Sequence, residues 1–399
     1  MLHRNGMKLF IYNLFIYVSA IYAFLWLHPF FTWNNSIIMY AGILYFLIFL
    51  VWIFIEDIKI NIVHIFITMC ALTLIILFSF KNENIIRNIL LYSISLIPLT
   101  LVNKEVCRKI YDNFIKVISI SLLPAVVIAI LLFMGIELNW SELLSTSWTK
   151  PYYRNYFNLS IYTAYGGVSQ QYFFPWGGSI DRICGMFDEP GVVGTVSGLI
   201  LVSRNFSMNR IYEKIILLAG ILSFSFAFYL IVVGFLLIKK PRIGITIVAC
   251  LIILYQIVPQ DSYVYSKILY RFEITDKGLI GNNRTNEGFD RLYSDFIQND
   301  NVWWGIKEKE FLNRAQYYGS EALSWKTFVV INGAVLFILH TLYFIGYGAM
   351  LRDRRVWMFC FVYFFSIYQR PYDFSLGYWL IFFGGVITFV NMYISDDNN

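Results

Sequence analysis

The sequence predicts an all-α polytopic membrane helix bundle of about 11–12 transmembrane helices with one long, partly helical external loop. Of the 399 residues, 58% are hydrophobic and 14% are charged, whereas a soluble domain carries about 25% charged residues. The mean hydropathy is +0.62. Apolar runs recur along the whole chain, and about 20 such residues cross a hydrocarbon layer about 30 Å thick. Residues 1–399 are therefore predicted to form one membrane domain.

The predicted spans are apolar runs separated by polar or basic segments. They cover 9–27, 36–55, 60–80, 85–102, 114–136, 190–204, 212–238, 243–258, 326–350, 356–369 and 376–394. The first run is longer than the core of a signal peptide, and no small-x-small cleavage site follows it. We therefore interpret it as an uncleaved first helix.

Basic clusters predict which way the spans face. They are Arg4/Lys8, Lys104/Arg108/Lys109, Arg204/Arg210/Lys214, Lys239/Lys240/Arg242 and Arg352/Arg354/Arg355. The positive-inside rule puts these clusters and the N-terminus in the cytoplasm. The two longest connections, 137–189 and 259–325, are then external. The second carries eight Lys/Arg and ten Asp/Glu, the near-balance expected of a translocated loop.

Residues 212–238 conflict with a single crossing, because basic clusters flank both ends. We favour a hairpin broken near Ser223-Phe224-Ser225-Phe226, which is tolerated in a membrane where protein surrounds the break. The alternative is one long tilted helix with a local violation of the charge rule.

Cofactors and nucleic acid are not predicted. The five cysteines are scattered, and no Cys-x-x-Cys pair occurs among them, so neither a disulfide framework nor a metal site is expected. The net charge of +6 reports orientation in a membrane protein rather than affinity for nucleic acid. Membrane lipids are the expected surroundings.

The first external segment is rich in aromatic residues and glycine. It contains Tyr152-Tyr153-Arg154-Asn155-Tyr156, then Gly166-Gly167 and Pro175-Trp176-Gly177-Gly178. Flat rings cover the apolar faces of sugars, and Asn, Asp or Arg side chains pair with sugar hydroxyls. The alternative for each aromatic residue is a place in the belt that lines any membrane interface.

The end of this segment combines an arginine with two carboxylates. Asp188 and Glu189 precede Pro190, which predicts a helix start whose N–H groups a carboxylate caps. Arg182 lies seven residues before Glu189, so the group could bind an anionic headgroup and activate a hydroxyl. The alternatives are a purely structural helix start and an arginine that reaches lipid phosphates.

The long loop carries two further arginines beside a predicted helix. Residues 263–272 have the composition of an interfacial amphipathic helix, and Gly281-Asn282-Asn283 predicts a turn. Apolar spacing then predicts a helix over 285–298, with Arg284 at its start and Arg291 one face along. Arg291 has the alternative of a solvated helix face. Trp303, Trp304 and Gly305 follow.

Three stretches within about residues 180–345 resemble the bacterial O-antigen polymerase (Wzy) and O-antigen ligase superfamily. Residues 182–191, Arg-x-x-Gly-x-Phe-x-Glu-Pro-Gly, resemble that family's Arg-x-x-Gly-x-Phe-x-Glu-Pro stretch. Residues 283–306, from Asn-Arg-Thr to Trp-Gly-Ile, resemble its Arg-Thr…Pro-Leu-x-Gly-x-Gly loop. Residues 324–337, from Ser-Trp-Lys to Asn-Gly-Ala-Val-Leu-Phe, resemble the helix that leaves the loop.

The chain also departs from the family pattern. Ligases usually carry a histidine at the start of the last stretch, where this chain has Ser324-Trp325, and all four histidines lie outside both long loops. This difference favours a polymerase over a ligase. The second glycine of the family's Gly-x-Gly pattern, whose first glycine matches Gly305, is also replaced here, by the charged run Lys307-Glu308-Lys309-Glu310.

The resemblance implies a polymerase on the outer face of a bacterial inner membrane, and the lack of residues with metal-ligand spacing in the sequence predicts metal-independent chemistry. The polymerase would transfer an oligosaccharide from an undecaprenyl-diphosphate donor to a sugar hydroxyl of a second lipid-linked repeat unit, with a chain-length regulator and a flippase as possible partners. Glu189, backed by Asp188, is the expected base, and Arg284 the expected catalytic cation. The expected substrate-binding residues are Arg182, Arg291, Arg370, Arg154 and Trp304. The alternatives are an O-antigen ligase and a lipid-linked oligosaccharide flippase.

Overall fold

A computed structural model shows a predominantly helical chain, as the apolar runs predict. It describes residues 2–32, 36–56, 61–136, 140–144, 153–157, 163–164, 171–173, 179–187, 189–259, 265, 273–275, 278–279, 286–320, 324–369 and 374–397. The helices are α1 (Leu2–Leu25), α2 (Ser36–Glu56), α3 (Ile62–Ser79), α4 (Ile85–Leu101), α5 (Lys104–Phe133), α6 (Pro190–Ser203), α7 (Ile211–Leu222), α8 (Phe226–Lys239), α9 (Pro241–Ile257), α10 (Glu287–Asn299), α11 (Glu308–Tyr318), α12 (Trp325–Asn332), α13 (Ala334–Met350), α14 (Val356–Gln369) and α15 (Leu376–Asp397).

Length and apolar composition fit a membrane protein. Within the described ranges, four helices are long and apolar enough to cross a bilayer, namely α1 from Gly6 onward, α2, α3 and α5. Further apolar helices, such as α6, α8 and α13, are between 10 and 17 residues long. The chain is thus a helical bundle with several membrane-length helices.

Helix α6 forms the centre of the bundle. All of its residues from Pro190 to Ser203 are buried, and it packs against α7, α8 and α15. Gly194 and Gly198 lie one turn apart on the face toward α8, where a Cβ on Gly198 would stand 3.0 Å from Ile231 Cγ2. Small residues at this spacing let two helix backbones approach closely in a lipid environment, where packing rather than exclusion of water drives association.

Residues 212–238 form two helices, which confirms the predicted break. Helix α7 ends at Leu222, α8 begins at Phe226, and Phe224 between them has a φ of 44°. We call Ser223–Ser225 the hairpin tip. With 12 and 14 residues, the helices are about 18 and 21 Å long, each shorter than a bilayer core of about 30 Å.

Contacts with α6 show that the hairpin returns to the end where it began. Beyond the end of α6, the Lys239 side chain bonds to Asn205, and Arg204 pairs with Glu213 near the start of α7. The hairpin tip lies instead near the start of α6, where a Cβ on Gly194 would meet Ser225 Cβ. The two flanking basic clusters therefore lie at one end of the bundle, which removes the conflict noted in the sequence.

The bundle has two chemically different ends. At one end, which we call the loop end, Phe30 N donates to Met186 O over 2.8 Å, Ser375 Oγ donates to Trp26 O over 2.8 Å, and Glu308 N donates to Lys81 O over 3.0 Å. At the other, the basic end, the side chain of Arg204 bonds to Asp112, and Lys109 Nζ donates to Tyr12 Oη over 3.0 Å. The long loop and the basic clusters after α4, α6 and α8 are thus at opposite ends.

The predicted span 326–350 is wrong as a single helix. It breaks at Gly333, which has a φ of 88° and separates α12 from α13. The cause is a close backbone approach: Ala334 N donates to Val302 O over 2.9 Å, and Lys307 N donates to Ile331 O over 3.1 Å. The long loop thereby pairs with the chain where it re-enters the bundle.

The helices around the long loop have a small core of their own. Phe289, Leu292 and Phe296 are fully buried on one face of α10, as the spacing over 285–298 predicts, and they pack with residues of α11 and α12. Arg314 on α11 makes two hydrogen bonds to Asp300, of 2.5 and 3.1 Å, and one of 2.8 Å to Glu310. These bonds raise the pKa of the Arg314 guanidinium.

The segment before α6 contains short strands, which were not predicted from the sequence. They are β1 (Trp140–Leu144), β2 (Tyr153–Phe157), β3 (Thr163–Ala164), β4 (Gln171–Phe173), β5 (Ser179–Asp181) and β6 (Ile183–Gly185), and two further short strands, β7 (Ile274–Thr275) and β8 (Gly278–Leu279), lie in the long loop. The order β1-β2-β3-β6 forms an antiparallel sheet, and β4 pairs with β5, as does β7 with β8.

Candidate functional site

Arg182 lies at the loop end, where the segment before α6 meets the bundle. Its side chain is half-buried, and its Nε donates a hydrogen bond of 3.1 Å to the carbonyl oxygen of Ser223 in the hairpin tip. Arg182 sits between β5 and β6, and β6 packs on α5 and α6. The guanidinium is therefore oriented by a backbone group 41 residues away in the chain.

The hairpin tip is tightly packed. Ser223 and Ser225 are 0% and 2% exposed. Ser223 Oγ donates to Gly220 O over 2.6 Å, and Ser225 N donates to Ser223 Oγ over 3.3 Å. Because these bonds and the buried α6 surround the tip, the Ser223 carbonyl has a defined position.

Glu189 occupies the start of α6, as the sequence predicts. It is the N-cap residue, half-buried, with φ −145° and ψ 145°, and Pro190 takes the first helical position. The predicted capping by its carboxylate is wrong, since the Glu189 side chain does not bond to the first N–H groups of α6. The positive end of the helix dipole still favours the ionised form of a carboxylate at this place.

Two tryptophans stand on a rigid turn at the loop end. Trp303 and Trp304 are 60% and 56% exposed. Asn301 holds the turn, because its Oδ1 accepts from Trp303 N over 3.1 Å and its carbonyl oxygen accepts from Gly305 N over 2.9 Å. Exposed indoles on a fixed backbone suit stacking against a sugar ring or insertion at a membrane interface.

The connection between α3 and α4 clamps the same turn. The Lys81 ammonium donates to the Trp304 carbonyl, while Glu308 N donates to Lys81 O over 3.0 Å. Burial and the neighbouring Lys307 lower the pKa of Lys81. Burial and the carboxylate of Glu83 raise the pKa of Glu308, against a lowering effect of the Glu83 backbone. The clamp joins the long loop to the bundle through charged residues.

The remaining predicted site residues are placed as follows. Arg291 is exposed on α10, which matches the alternative of a solvated helix face. Arg154 lies on β2 opposite Leu143 of β1. Asp188, Arg284 and Arg370 lie outside the described residues. Arg182, Glu189 and Trp304 are thus the candidates that the structure puts at the loop end with a described environment.

Two parts of this site were missed in the sequence. The hairpin tip contributes a backbone carbonyl, which has no sequence signature, although the Gly194-x-x-x-Gly198 spacing on α6 signals a closely packed helix there. Lys81 and Glu83 lie in a short polar connection between two apolar spans. Their pairing with Trp304 and Glu308 depends on contacts more than 200 residues apart, since Lys81 and Trp304 are separated by 223 positions.

Comparisons with protein families, with characterised proteins and with solved structures give no match to this chain.

Proposed function

We propose that the protein is a polysaccharide polymerase of a bacterial cytoplasmic membrane, with its active site facing the exterior. It would transfer an oligosaccharide from an undecaprenyl-diphosphate donor to a sugar hydroxyl of a lipid-linked repeat unit. One observation carries this proposal: Arg182, Glu189 and the exposed Trp303–Trp304 turn lie at the loop end, opposite the basic clusters. An arginine, a carboxylate and indole rings at one membrane face suit a lipid-linked, anionic, sugar-bearing substrate.

The proposed reaction breaks the bond between the anomeric carbon and the diphosphate oxygen and forms a bond from that carbon to the acceptor oxygen. Negative charge then builds on the departing diphosphate. Arg182, together with Arg284, would stabilise this charge, because a guanidinium stays ionised and presents paired N–H groups to phosphate oxygens.

The acceptor hydroxyl must lose a proton in the same reaction. Glu189, backed by Asp188, would receive it, since a carboxylate at hydrogen-bonding distance acts as a general base. At the start of α6, Glu189 lies beside the positive end of the helix dipole, which favours a carboxylate at this place.

The backbone at position 307 also supports the proposal. Lys307 has φ 70° and ψ 158°, a combination that is essentially restricted to glycine. The polymerase and ligase superfamily carries its second glycine at this place, so the turn that follows Gly305 has a glycine-like geometry here despite the lysine.

Purified protein mixed with synthetic undecaprenyl-diphosphate-linked repeat units tests the function. We expect a ladder of products that grows by one repeat unit per band. Absence of a ladder with correctly folded protein contradicts the proposal. Attachment of preformed polymer to a lipid A core would identify a ligase, and transfer of labelled substrate across vesicles without chain growth would identify a flippase.

A further inference from the structure

The hairpin tip contacts an arginine of the candidate site, although the tip itself lies within a pair of apolar helices. The contact is the hydrogen bond from Arg182 Nε to Ser223 O. Nε is the inner nitrogen of the guanidinium, so a bond at this atom restrains the direction in which the group points. An arginine held in this way presents its paired N–H groups in a defined orientation, which matters for two-point binding of phosphate oxygens.

Helix α6 determines where the tip lies. A Cβ on Gly194 would stand 2.2 Å from Ser225 Cβ and 3.0 Å from Ser223 Oγ. Helix α6 is buried along its whole length and has no room to retreat. The absence of a side chain at Gly194 therefore lets the tip reach the position from which Ser223 accepts the bond from Arg182.

The conformation of the tip also requires support from its surroundings. Phe224 has a φ of 44°, a left-handed backbone conformation that is sterically unfavourable for a residue with a side chain. Such a conformation persists where packing imposes it, and it is common at functional sites. Here the packing comes from Gly194 on one side and from Gly220 and Phe228 on the other, where a Cβ on Gly220 would stand 2.3 Å from the Phe228 ring.

We infer that the α7–α8 hairpin positions Arg182 for binding the diphosphate of the lipid-linked substrate. Gly194 is the positioning residue, because it determines how closely the hairpin tip approaches α6. This inference rests on the proposed function, in which Arg182 binds that diphosphate. Gly194 and Ser223 act through Arg182 and do not contact the substrate themselves.

The test measures binding of undecaprenyl diphosphate to the purified protein in nanodiscs. Gly194→Ala should weaken binding about tenfold, the effect of losing one well-oriented charged hydrogen bond. Gly198→Ala is the matched control, because it adds the same methyl group one turn along the same face, where the nearest atom is Ile231 Cγ2 at 3.0 Å rather than Ser225 Cβ at 2.2 Å. We expect Gly198→Ala to bind like the wild type.

Two double variants separate positioning from a general loss of structure. Gly194→Ala combined with Ser225→Gly removes the clashing Cβ and should restore binding. In an Arg182→Ala background, which itself binds more weakly, Gly194→Ala should cause no further loss, because sites that act through one another are not additive. An equal loss in both backgrounds, or no rescue by Ser225→Gly, overturns the inference.

The same preparations distinguish failure of this inference from failure of the proposed function. Binding that follows the expected pattern without a polymer ladder contradicts the polymerase and leaves the positioning of Arg182 intact. A ladder from the wild type with unchanged binding in Gly194→Ala contradicts the positioning alone. No binding by the folded wild type contradicts both.

Discussion

Gly333 lies directly against the backbone of Trp303: a Cβ built on Gly333 would stand 2.3 Å from the Trp303 carbonyl oxygen. The reverse approach is equally close, because a Cβ on Gly305 would stand 2.6 Å from Gly333 N. Both glycines have positive φ values, of 88° and 67°. The turn that carries the exposed tryptophans and the start of α13 are therefore packed backbone to backbone, without side chains between them.

Gly333→Ala should detach the tryptophan turn from α13. The added methyl group clashes with the backbone of Trp303 and Trp304, and the positive φ of residue 333 is unfavourable for alanine. We therefore expect the free energy of unfolding to fall by at least about 2 kcal/mol. Gly319→Ala is the matched control, since Gly319 has a φ of 59° and no atom within 4 Å of its Cβ position. It bears only the backbone cost of about 1–2 kcal/mol. Thermal unfolding in detergent should show the larger loss for Gly333→Ala; equal losses would contradict the close packing.

The buried arginine at the basic end should matter more for stability than a surface arginine of the same kind. Arg204 has a side chain 6% exposed and pairs with Asp112 and Glu213, whose side chains are 28% and 2% exposed. Arg204→Met removes the cation bonded to Asp112 and leaves Arg210 as the remaining positive charge near both carboxylates, so it should cost about 3 kcal/mol, the lower end for a broken buried pair.

Arg355→Met serves as the control for Arg204→Met. Arg355 bonds to Asp353, but the two side chains are 29% and 19% exposed, and such pairs contribute about 1 kcal/mol or less. The comparison uses the midpoints of thermal unfolding of the two variants. A change in Arg204→Met no larger than that of Arg355→Met would show that the buried cluster does not hold α5, α6 and α7 together.

Glu308 should make the clamp between the long loop and the α3–α4 connection sensitive to pH. Burial and the Glu83 carboxylate raise the pKa of Glu308 above 4.5 in the folded protein, so the folded state holds this proton more tightly than the unfolded state. Its contribution is fully present below the unfolded pKa and is lost as pH rises through the folded pKa. Stability should therefore fall as pH rises through this window.

The variants Glu308→Gln and Glu83→Gln check this assignment. Glu308→Gln removes the titrating group and should flatten the fall of the thermal midpoint as pH rises above the unfolded-state pKa of glutamate. Glu83→Gln removes only the repelling carboxylate and should shift the dependence to lower pH. An unchanged profile in Glu308→Gln would assign the titration to another group.

The proposed role of Arg284 predicts a specific product pattern. Arg284→Ala should abolish long polymer and leave single repeat units, because the departing diphosphate loses charge stabilisation. Arg284→Lys keeps the charge without the paired N–H groups and should give short chains. Arg242→Ala, in a basic cluster at the opposite end of the bundle, is the control. Polymer of normal length from Arg284→Ala, at wild-type protein level, would exclude this role.

The sequence predicts the helices well where the cause of the structure is local. Apolar runs predict most of the spans, the spacing of Phe289, Leu292 and Phe296 predicts α10, and basic clusters on both sides of 212–238 predict the hairpin. In each case the pattern belongs to the segment that folds. The basic clusters at the two ends of 212–238 were informative because membrane proteins keep such clusters on the cytoplasmic side of the membrane.

The parts that could not be predicted depend on distant backbone contacts. The break at Gly333 exists because residues 302–307 pair with residues 330–335, and the orientation of Arg182 depends on the carbonyl of Ser223. Backbone groups are the same in every residue, so the sequence does not mark which of them will accept such bonds. For the candidate site, the sequence pointed to Arg182 and Glu189 and also predicted the hairpin break, but it did not predict that the hairpin tip orients the arginine.

Lys307 offers a direct test of stored backbone strain at the long loop. Its φ of 70° and ψ of 158° are sterically costly for any residue with a side chain, by about 1–3 kcal/mol. The turn imposes this conformation, because Lys307 N donates to Ile331 O and Glu308 N donates to Lys81 O, over 3.1 and 3.0 Å. Lys307→Gly should therefore raise the midpoint of thermal unfolding, even though glycine gains freedom in the unfolded chain.

Lys309→Gly is the matched control for Lys307→Gly and should have the opposite sign. Lys309 is exposed within the first turn of α11, where its backbone is helical, and glycine inside a helix costs about 0.5–1 kcal/mol. Both variants remove one exposed ammonium group from the same charged run, but only Lys307 acts on the neighbouring Lys81. Lys307→Gln removes that charge while keeping a side chain, and so gives the charge effect alone. If Lys307→Gly destabilised the protein as much as Lys309→Gly does, the lysine side chain rather than the backbone would govern the geometry of the turn.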